Sequence, residues 1–257
     1  MPLRIGVDLD GVLADMDGEL VRQAEVLFGE SVSPPPLGAA PGGAPNDTKT
    51  QERETAADAP SDTPAPAESV DTEPSSPGLQ LTSRQRRRLW HHIATIDNFW
   101  ETLKEIEPGS IARFAALAID RRWETIFLTK RPASAGATAQ VQTQRWLESK
   151  GFKLPSVYVV QGSRGRIAAA LALDFVIDDT PENCLDVVID SRARAILVWR
   201  EDAKQLPSAA RRLGIGVVKS VDECFTILAQ VDTQSPDKPR MMDRVMRLLG
   251  FKEPAQV

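Results

Sequence analysis

The sequence predicts an α/β fold, in which a parallel β-sheet is covered by helices on both faces. One observation is that short apolar runs alternate with longer amphipathic stretches between residues 108 and 230. Another is that several of these runs end in acidic or hydroxyl side chains, as the run before Asp8 does. Such alternation implies right-handed crossovers between parallel strands, and ligands bind where the strands of these sheets end. We therefore expect the functional residues at the carboxyl ends of the strands.

The amino-terminal part of the chain is divided by a stretch of low complexity. Residues 3–7 form an apolar run that predicts a buried strand, and residues 20–28 have the pattern of a helix. Between residues 31 and 78, Pro, Ala, Gly, Ser, Thr, Asp and Glu dominate and no aromatic residue occurs. This composition cannot bury enough apolar surface to offset the entropy of ordering, so we expect a disordered insert. A partner-docking or regulatory tether is the functional alternative.

The elements predicted after the insert have boundary signals typical of helices and strands. Thr82 or Ser83 is suited to cap a helix, Pro108 and Gly109 are suited to open the next, and Gly151 is suited to end another. The predicted helices are residues 83–96, 109–121, 138–150, 164–172, 181–189, 206–213 and 221–230. The predicted strands, all short apolar runs, are residues 124–129, 157–160, 174–178, 195–199 and 216–218.

Length, charge and composition limit the function classes. A chain of 257 residues accommodates one α/β domain with an insertion, and a net charge of −5 does not suggest a nucleic-acid-binding surface. No apolar run reaches the roughly 18 residues of a membrane span, and no secretory leader precedes the first strand, so we expect a cytoplasmic protein. Cys184 and Cys224 form neither a metal-ligand cluster nor a disulfide framework. Residues 241–249 predict an amphipathic docked helix, with a membrane or partner helix as the alternative.

Asp8 and Asp10 lie two residues apart in a loop that contains Gly11, directly after the first predicted strand. Two carboxylates this close repel each other, and a hard divalent ion such as Mg²⁺ is suited to hold them together. An aspartate can also attack phosphorus and form an aspartyl-phosphate. An ordinary surface turn and a Ca²⁺-binding loop are the alternatives, although Val12 stands where a Ca²⁺ loop needs an oxygen ligand.

Three segments resemble motifs of the haloacid dehalogenase (HAD) superfamily of phosphatases, in the same order. Residues 8–15 read DLDGVLAD and resemble the first motif, and their continuation from Gly11 is similar to the 5′(3′)-deoxyribonucleotidase branch. Residues 126–132 read IFLTKRP and resemble the second motif, a strand that ends in Thr or Ser. Residues 175–183 read FVIDDTPEN and resemble the fourth motif, a strand that ends in paired acids.

This resemblance implies a Rossmann-like core and a small helical cap inserted after the first strand. With it we assign residues 1–14 and 108–232 to the core and residues 15–30 and 79–107 to the cap. Composition separately assigns residues 31–78 to the disordered insert, and residues 233–257 form the predicted tail with the amphipathic helix. The cap of this superfamily closes over the site and sets specificity.

The resemblance also implies roles for individual side chains. Asp8 would attack the phosphoryl group, and Asp10 would protonate the leaving oxygen and later deprotonate the hydrolytic water. Thr129 would hydrogen-bond a phosphoryl oxygen. Mg²⁺ would be held by Asp8, by the backbone carbonyl of Asp10, and by Asp178 or Asp179. A cap at the start of the following helix is the alternative for one of the last two residues.

Two positions depart from the pattern of the superfamily. The usual Lys before the fourth motif is absent from residues 161–166, where Arg164 is the best positional match and Arg166 the second. A guanidinium keeps the charge and can grip phosphate with two hydrogen bonds, although it is wider than an ammonium group. Either Arg164 substitutes as the substrate-binding residue, or Lys130 reaches in, or activity is reduced. Met16 stands where the nucleotidase branch often has an aromatic residue.

Several side chains of the predicted cap have both a functional and a structural interpretation. Trp90, Phe99 and Trp100 could stack on a nucleobase, but we favour packing in the core of the cap. Basic residues could likewise meet phosphate, but we favour a solvated helix face for Arg84, Arg86, Arg87 and Arg88. His91 and His92 are not expected to act in catalysis, because this chemistry does not require histidine.

The sequence therefore predicts a Mg²⁺-dependent phosphomonoester hydrolase, similar to a 5′-nucleotidase. Its substrate would be a small phosphorylated molecule, with (deoxy)nucleoside 5′-monophosphates favoured, and neither nucleic acid nor a membrane is an expected partner. The alternative from another class is a degenerate HAD domain that binds phosphate or a protein without turnover, because the usual Lys is absent and the insert is long. Phosphoryl transfer to an acceptor other than water is a third possibility.

Overall fold

The computed structural model describes residues 2–29 and 81–232. In these ranges the chain forms one six-stranded, all-parallel sheet and eight α-helices, which confirms the predicted α/β class. The strands are β1 (Arg4–Asp8), β2 (Glu124–Thr129), β3 (Val157–Val159), β4 (Phe175–Asp178), β5 (Arg194–Val198) and β6 (Gly216–Val218). The helices are α1 (Met16–Phe28), α2 (Ser83–Thr95), α3 (Ser110–Asp120), α4 (Ala139–Ser149), α5 (Arg164–Ala170), α6 (Pro181–Asp190), α7 (Ser208–Arg212) and α8 (Val221–Asp232). The predicted insert 31–78 and the predicted helix 241–249 lie outside the described residues.

The first strand lies in the middle of the sheet, whose strand order is β3-β2-β1-β4-β5-β6. The register places Val7 opposite Phe127 of β2 and opposite Ile177 of β4. Ile5 and Val7 are completely buried, as expected for a parallel strand that is covered on both faces. Because β1, β2 and β4 are parallel neighbours, their carboxyl ends lie side by side.

Two apolar layers pack on the two faces of the sheet. In the larger layer Phe114 stacks on Phe225 with ring centroids 4.4 Å apart and meets Phe127 edge-on at 6.2 Å. Leu128 belongs to the second buried cluster, because successive residues of a strand point to opposite faces. Helices on both faces supply the partners of these strand side chains, which is the arrangement that the alternating sequence predicts.

Most element boundaries lie close to the predicted ones, but α1 begins at Met16 instead of residue 20. The side chain of Asp15 accepts a hydrogen bond from the backbone N–H of Gly18 and so provides the helix cap. The glycine in the first turn makes this part of the sequence look like a loop. At α2 the prediction is confirmed, because Thr82 caps the helix in a reciprocal pair with Gln85.

Helices α1 and α2, which the sequence analysis assigns to the cap, pack against each other. Leu20, Leu89 and Ile93 are buried in the same cluster as the central strand. Nε2 of His92 lies 3.1 Å from Oε1 of Gln23, which joins the two helices through polar side chains. The pair is thereby anchored on the core, and its action as a cap stays a prediction.

None of the helices in the described ranges is both long enough and apolar enough to cross a bilayer. Cys184 and Cys224 are free and buried. Burial raises the pKa of both thiols well above the ordinary value, so they stay protonated and act as apolar core side chains.

Candidate functional site

Three strand ends meet at the carboxyl edge of the sheet. Asp8 is the last residue of β1, Thr129 the last of β2, and Asp178 the last of β4. All three side chains are buried, so their polar groups need partners in the protein or in a ligand. The sheet thus brings together one residue from each of the three segments that resemble HAD motifs.

Asp8, Asp178 and Asp179 form a compact group of carboxylates. One oxygen from each lies within 4.8 Å of the other two. Burial raises the pKa of Asp8 well above its ordinary value, while the Arg164 charge opposes this and the neighbouring acids add to it. Burial likewise raises the pKa of Asp178, and burial together with the charge of Asp178 raises the pKa of Asp179 to about 7. Full ionisation of this group therefore requires further positive charge nearby.

The donor set fits a hard divalent cation. Carboxylate oxygens at this spacing are the ligands that Mg²⁺ prefers, with water or substrate oxygens in its other positions. The N-cap residue of α6 is Thr180, so neither Asp178 nor Asp179 is the N-cap of this helix. Asp178 is nevertheless oriented by this helix, because its Oδ1 accepts hydrogen bonds from the N–H of Thr180 at 2.9 Å and from Nδ2 of Asn183 at 3.0 Å.

Arg164 supplies a buried positive charge to the site. Its Nη2 donates to Oδ1 of Asp8, and its Nε lies 3.4 Å from Oδ2 of Asp178. Its Nε and Nη1 are buried but have no hydrogen-bond partner among the described residues. Buried donors without acceptors are costly, and an anion beside the guanidinium would remove that cost. Arg164 therefore lies beside Asp8 and Asp178 with two unpaired donors, and its role in binding substrate stays a prediction.

Arg164 reaches this position because α5 lies very close to α6. A Cβ added to Gly165 would overlap the carbonyl oxygen of Asp186, so only glycine permits this approach. The second positional match, Arg166, is exposed, and Lys130 is exposed as well. Of the three basic candidates, Arg164 is the one buried beside the acids.

Arg131 is a site residue that the sequence analysis did not single out. Its Nη2 and Nε donate to Oδ1 of Asp10 over 2.8 Å and 2.9 Å, which makes a two-pronged ion pair. Oγ1 of Thr129 donates to Oδ2 of the same carboxylate over 2.8 Å. Thr129 and Arg131 are two residues apart, and in an extended chain such residues share a face, so this spacing is the signal that could have found Arg131.

Arg200 holds the loop after β1 and was also not predicted. Its Nη1 donates to the carbonyl oxygen of Gly11 over 2.6 Å, and its Nη2 donates to that of Val12 over 3.1 Å. Its Nη2 also pairs with Glu107 at 2.8 Å, and Glu107 accepts hydrogen bonds from two backbone N–H groups at the start of α8. The loop that carries Asp10 is thereby held by a residue almost two hundred positions later in the chain, and no local sequence pattern predicts such a contact.

Two of the aromatic side chains assigned to the cap pack in the main apolar core beside the central strand, and the third packs against it. Phe99 and Trp100 are buried with ring centroids 4.9 Å apart, and Trp90 is half-buried. The basic residues of α2 lie at its surface, with one half-buried and the others exposed, and they are Arg84, Arg86, Arg87 and Arg88.

No protein-family profile matches the chain, and no curated protein is detectably similar to it. The likeness to the HAD superfamily rests on the three motifs. Asp8, Thr129 and Asp178, one from each motif, lie at one edge of the sheet, and membership of the superfamily stays a prediction.

Proposed function

We propose that this protein is a Mg²⁺-dependent phosphomonoester hydrolase of the HAD type. The observation that carries the proposal is the environment of Asp8, which accepts from Nη2 of Arg164 and lies beside the carboxylates of Asp178 and Asp179, while Nε and Nη1 of Arg164 have no hydrogen-bond partner among the described residues. A phosphoryl group at Asp8 would meet hydrogen-bond donors on Arg164 and a cation held by the acids. Both are needed where a carboxylate attacks an anionic phosphate.

The proposed reaction has two half-reactions that use the same two aspartates. In the first, a carboxylate oxygen of Asp8 bonds to phosphorus, the bond to the leaving oxygen breaks, and the proton of Asp10 passes to that oxygen. In the second, water attacks the aspartyl-phosphate, a proton of that water passes to Asp10, and the bond between phosphorus and Asp8 breaks. Inorganic phosphate leaves, and both carboxyl groups return to their initial state.

Other residues bind and orient in this scheme. Asp8, Asp178, Asp179 and the backbone carbonyl of Asp10 would hold Mg²⁺, which neutralises negative charge on phosphate and carboxylates when it is bound. Nε and Nη1 of Arg164 would donate to phosphoryl oxygens. Thr129 already donates its single hydroxyl proton to Asp10, so its contribution in this state is to hold the acid.

Nucleoside 5′-monophosphates are the proposed substrate class. This choice is supported by the similarity of residues 11–15 to the deoxyribonucleotidase branch.

A cytoplasmic location is part of the proposal, because the free, buried Cys184 and Cys224 suit a reducing compartment.

Phosphate release from nucleotides, sugar phosphates and p-nitrophenyl phosphate, with and without Mg²⁺, tests the proposal. The wild-type protein should turn over at least one substrate, and Asp8→Asn should lower kcat by about 1,000-fold or more, because it removes the nucleophile. Asp120→Asn is the matched control, since it changes an exposed aspartate at the end of α3. Equal activity in wild type and Asp8→Asn would contradict the proposal.

Binding without turnover is the second candidate, and one observation favours it. Oδ1 of Asp8 is already paired with Arg164, which ties up an oxygen of the proposed nucleophile. If the wild type and Asp8→Asn are equally inactive on all substrates while inorganic phosphate raises the Tm, the protein is a phosphate-binding module. A substrate-dependent difference between the two proteins would exclude this candidate.

A further inference from the structure

The carboxylate of Asp10 is held in a fixed orientation. Nη2 and Nε of Arg131 lie 2.8 Å and 2.9 Å from its Oδ1, and Nε lies 3.1 Å from its Oδ2. Oγ1 of Thr129 donates to Oδ2 over 2.8 Å. Oδ2 thus accepts one hydrogen bond from Thr129 and a longer one from Nε, which is shared between the two oxygens and lies nearer to Oδ1.

Arg131 is itself restrained by its surroundings. Its Nη1 donates to Oγ1 of Thr143 over 3.0 Å. Its guanidinium carbon lies 5.2 Å from the ring centroid of Trp100 and 5.5 Å from that of Trp146. Both indole N–H groups donate to backbone carbonyls, which keeps the rings from turning. These contacts fix the plane of the guanidinium and, through the two-pronged pair, the plane of the Asp10 carboxylate.

The two partners of this ion pair differ in their access to solvent. The side chain of Arg131 is 0% exposed, whereas that of Asp10 is 12% exposed. A substrate at the carboxyl edge of the sheet could therefore touch Asp10 but not Arg131. A buried ion pair is a weak source of stability, because the loss of hydration offsets much of the attraction. Orientation of Asp10 accounts better for a guanidinium that is restrained by so many contacts.

We propose that Arg131 is a positioning residue, which orients Asp10 for proton transfer to the leaving oxygen. This inference rests on the proposed phosphatase activity. In that step the proton of Asp10 moves to the leaving oxygen while the bond between that oxygen and phosphorus breaks and the bond from Asp8 to phosphorus forms. A misoriented Asp10 slows the departure of a group that needs the proton. It does not slow a group that departs as a stable anion.

Two substrates with different leaving groups test the inference. Glycerol 2-phosphate releases an alkoxide that needs the proton, whereas p-nitrophenyl phosphate releases a nitrophenolate that is stable without it. The informative parameter is kcat/KM, because it reports the steps up to departure of the leaving group. For Arg131→Lys and Arg131→Met we expect kcat/KM to fall about 30-fold or more with glycerol 2-phosphate and less than about 5-fold with p-nitrophenyl phosphate.

A second readout comes from the later half-reaction. Asp10 also activates the hydrolytic water, so the Arg131 variants should release a burst of nitrophenolate, one per protein molecule, before slow turnover. Thr143→Val removes the hydroxyl that Arg131 donates to and leaves Asp10 untouched. It should change the ratio of the two kcat/KM values in the same direction by a smaller factor. Arg145→Met is the matched control on the same helix, since it removes an exposed arginine paired with Glu101, and it should leave the ratio unchanged.

Each outcome decides for or against the role of Arg131. An equal loss on both substrates in variants that keep the wild-type Tm, or no loss on either, overturns the inference and leaves the phosphatase proposal intact. If the Arg131 variants do not fold, Thr143→Val decides, and an unchanged ratio overturns the inference. A wild-type protein that turns over neither these two substrates nor any nucleotide or sugar phosphate overturns the inference and the phosphatase proposal together.

Discussion

Asp179 lies so close to the backbone of Gly11 that a Cβ added to the glycine would overlap Oδ2 of the aspartate. Gly11 also has a φ of 85°, a left-handed conformation that residues with a side chain adopt only at a cost. One glycine thus permits both the turn after β1 and the approach of a proposed metal ligand.

Gly11→Ala should therefore displace Asp179 in addition to straining the turn. We expect Mg²⁺ affinity, measured by titration calorimetry, to fall by about tenfold or more, as is typical when the support of a metal ligand is lost. Gly109→Ala is the matched control, because Gly109 has a φ of 84° but no atom within 4 Å of the added Cβ. It should cost about 1 kcal/mol of stability and leave Mg²⁺ affinity unchanged. Equal Mg²⁺ affinities in the two variants would count against the close approach.

The pKa of Asp179, raised to about 7 by burial and by Asp178, predicts that metal binding depends on pH. Below this pH the carboxyl carries a proton that the ion must displace, and above it the ligand is already ionised. Mg²⁺ affinity should rise by up to about tenfold per pH unit towards neutral pH and level off above it. Titrations of the wild type and of Asp179→Asn measure this, and the variant should show the shallower dependence.

The raised pKa of Asp179 also makes the stability of the metal-free protein depend on pH. This stability should fall as the pH rises, whereas Mg²⁺ affinity should increase. A carboxyl whose pKa is higher in the folded than in the unfolded chain favours folding in its protonated form. Its contribution is complete below about pH 4 and is lost as the pH rises through about 7. In a chelator, Tm should fall over this interval, and saturating Mg²⁺ should remove the fall. If the wild type and Asp179→Asn lose Tm equally, Asp179 is not the group responsible.

Arg164→Met should lower kcat/KM by about 100-fold or more, because it removes the buried charge beside Asp8 and the donors proposed for phosphate. Arg164→Lys should recover part of this loss, since an ammonium restores the charge but not the two-pronged geometry. Arg166→Met, at the exposed neighbouring position, is the control and should behave as wild type. A larger loss in Lys130→Met would assign the phosphate-binding role to Lys130.

Gly165→Ala should push α5 away from α6, because the added Cβ would overlap the carbonyl oxygen of Asp186. We expect a loss of about 1–3 kcal/mol in the free energy of unfolding, measured in urea, together with reduced activity as Arg164 shifts. At Gly162 no atom lies within 4 Å of an added Cβ, so Gly162→Ala should change stability by less than about 0.5 kcal/mol. Similar losses in the two variants would refute the packing argument.

The fold and the centre of the site were predictable because they depend on short-range patterns. Apolar runs that end in Asp8, Thr129 and Asp178 indicate strand ends, and parallel connections bring such ends to one edge. Arg164 was predictable only as one of three basic candidates. The choice among them depends on the contact between α5 and α6, which joins residues distant in the sequence.

Arg131 and Arg200 escaped prediction for different physical reasons. The run Lys130-Arg131 does not reveal which of its two cations turns inward, and that is decided by Asp10, Thr143 and two tryptophans on other elements. Arg200 contacts carbonyl groups nearly two hundred residues earlier in the chain. Because every residue has a backbone carbonyl, the sequence does not indicate which of them accepts such a hydrogen bond. Contacts of this kind are visible only in three dimensions.

The excess of carboxylates over the Arg164 guanidinium at the site affects the order in which Mg²⁺ and the phosphate ester bind. When Asp8, Asp178 and Asp179 are all ionised, Arg164 balances one of their charges and Lys130 acts on Asp178, which still leaves a net negative charge at the site. A phosphate dianion that came first would be repelled by this surplus, whereas a divalent cation cancels it. We therefore expect compulsory-order kinetics, with the metal loading before the phosphate ester and departing after inorganic phosphate.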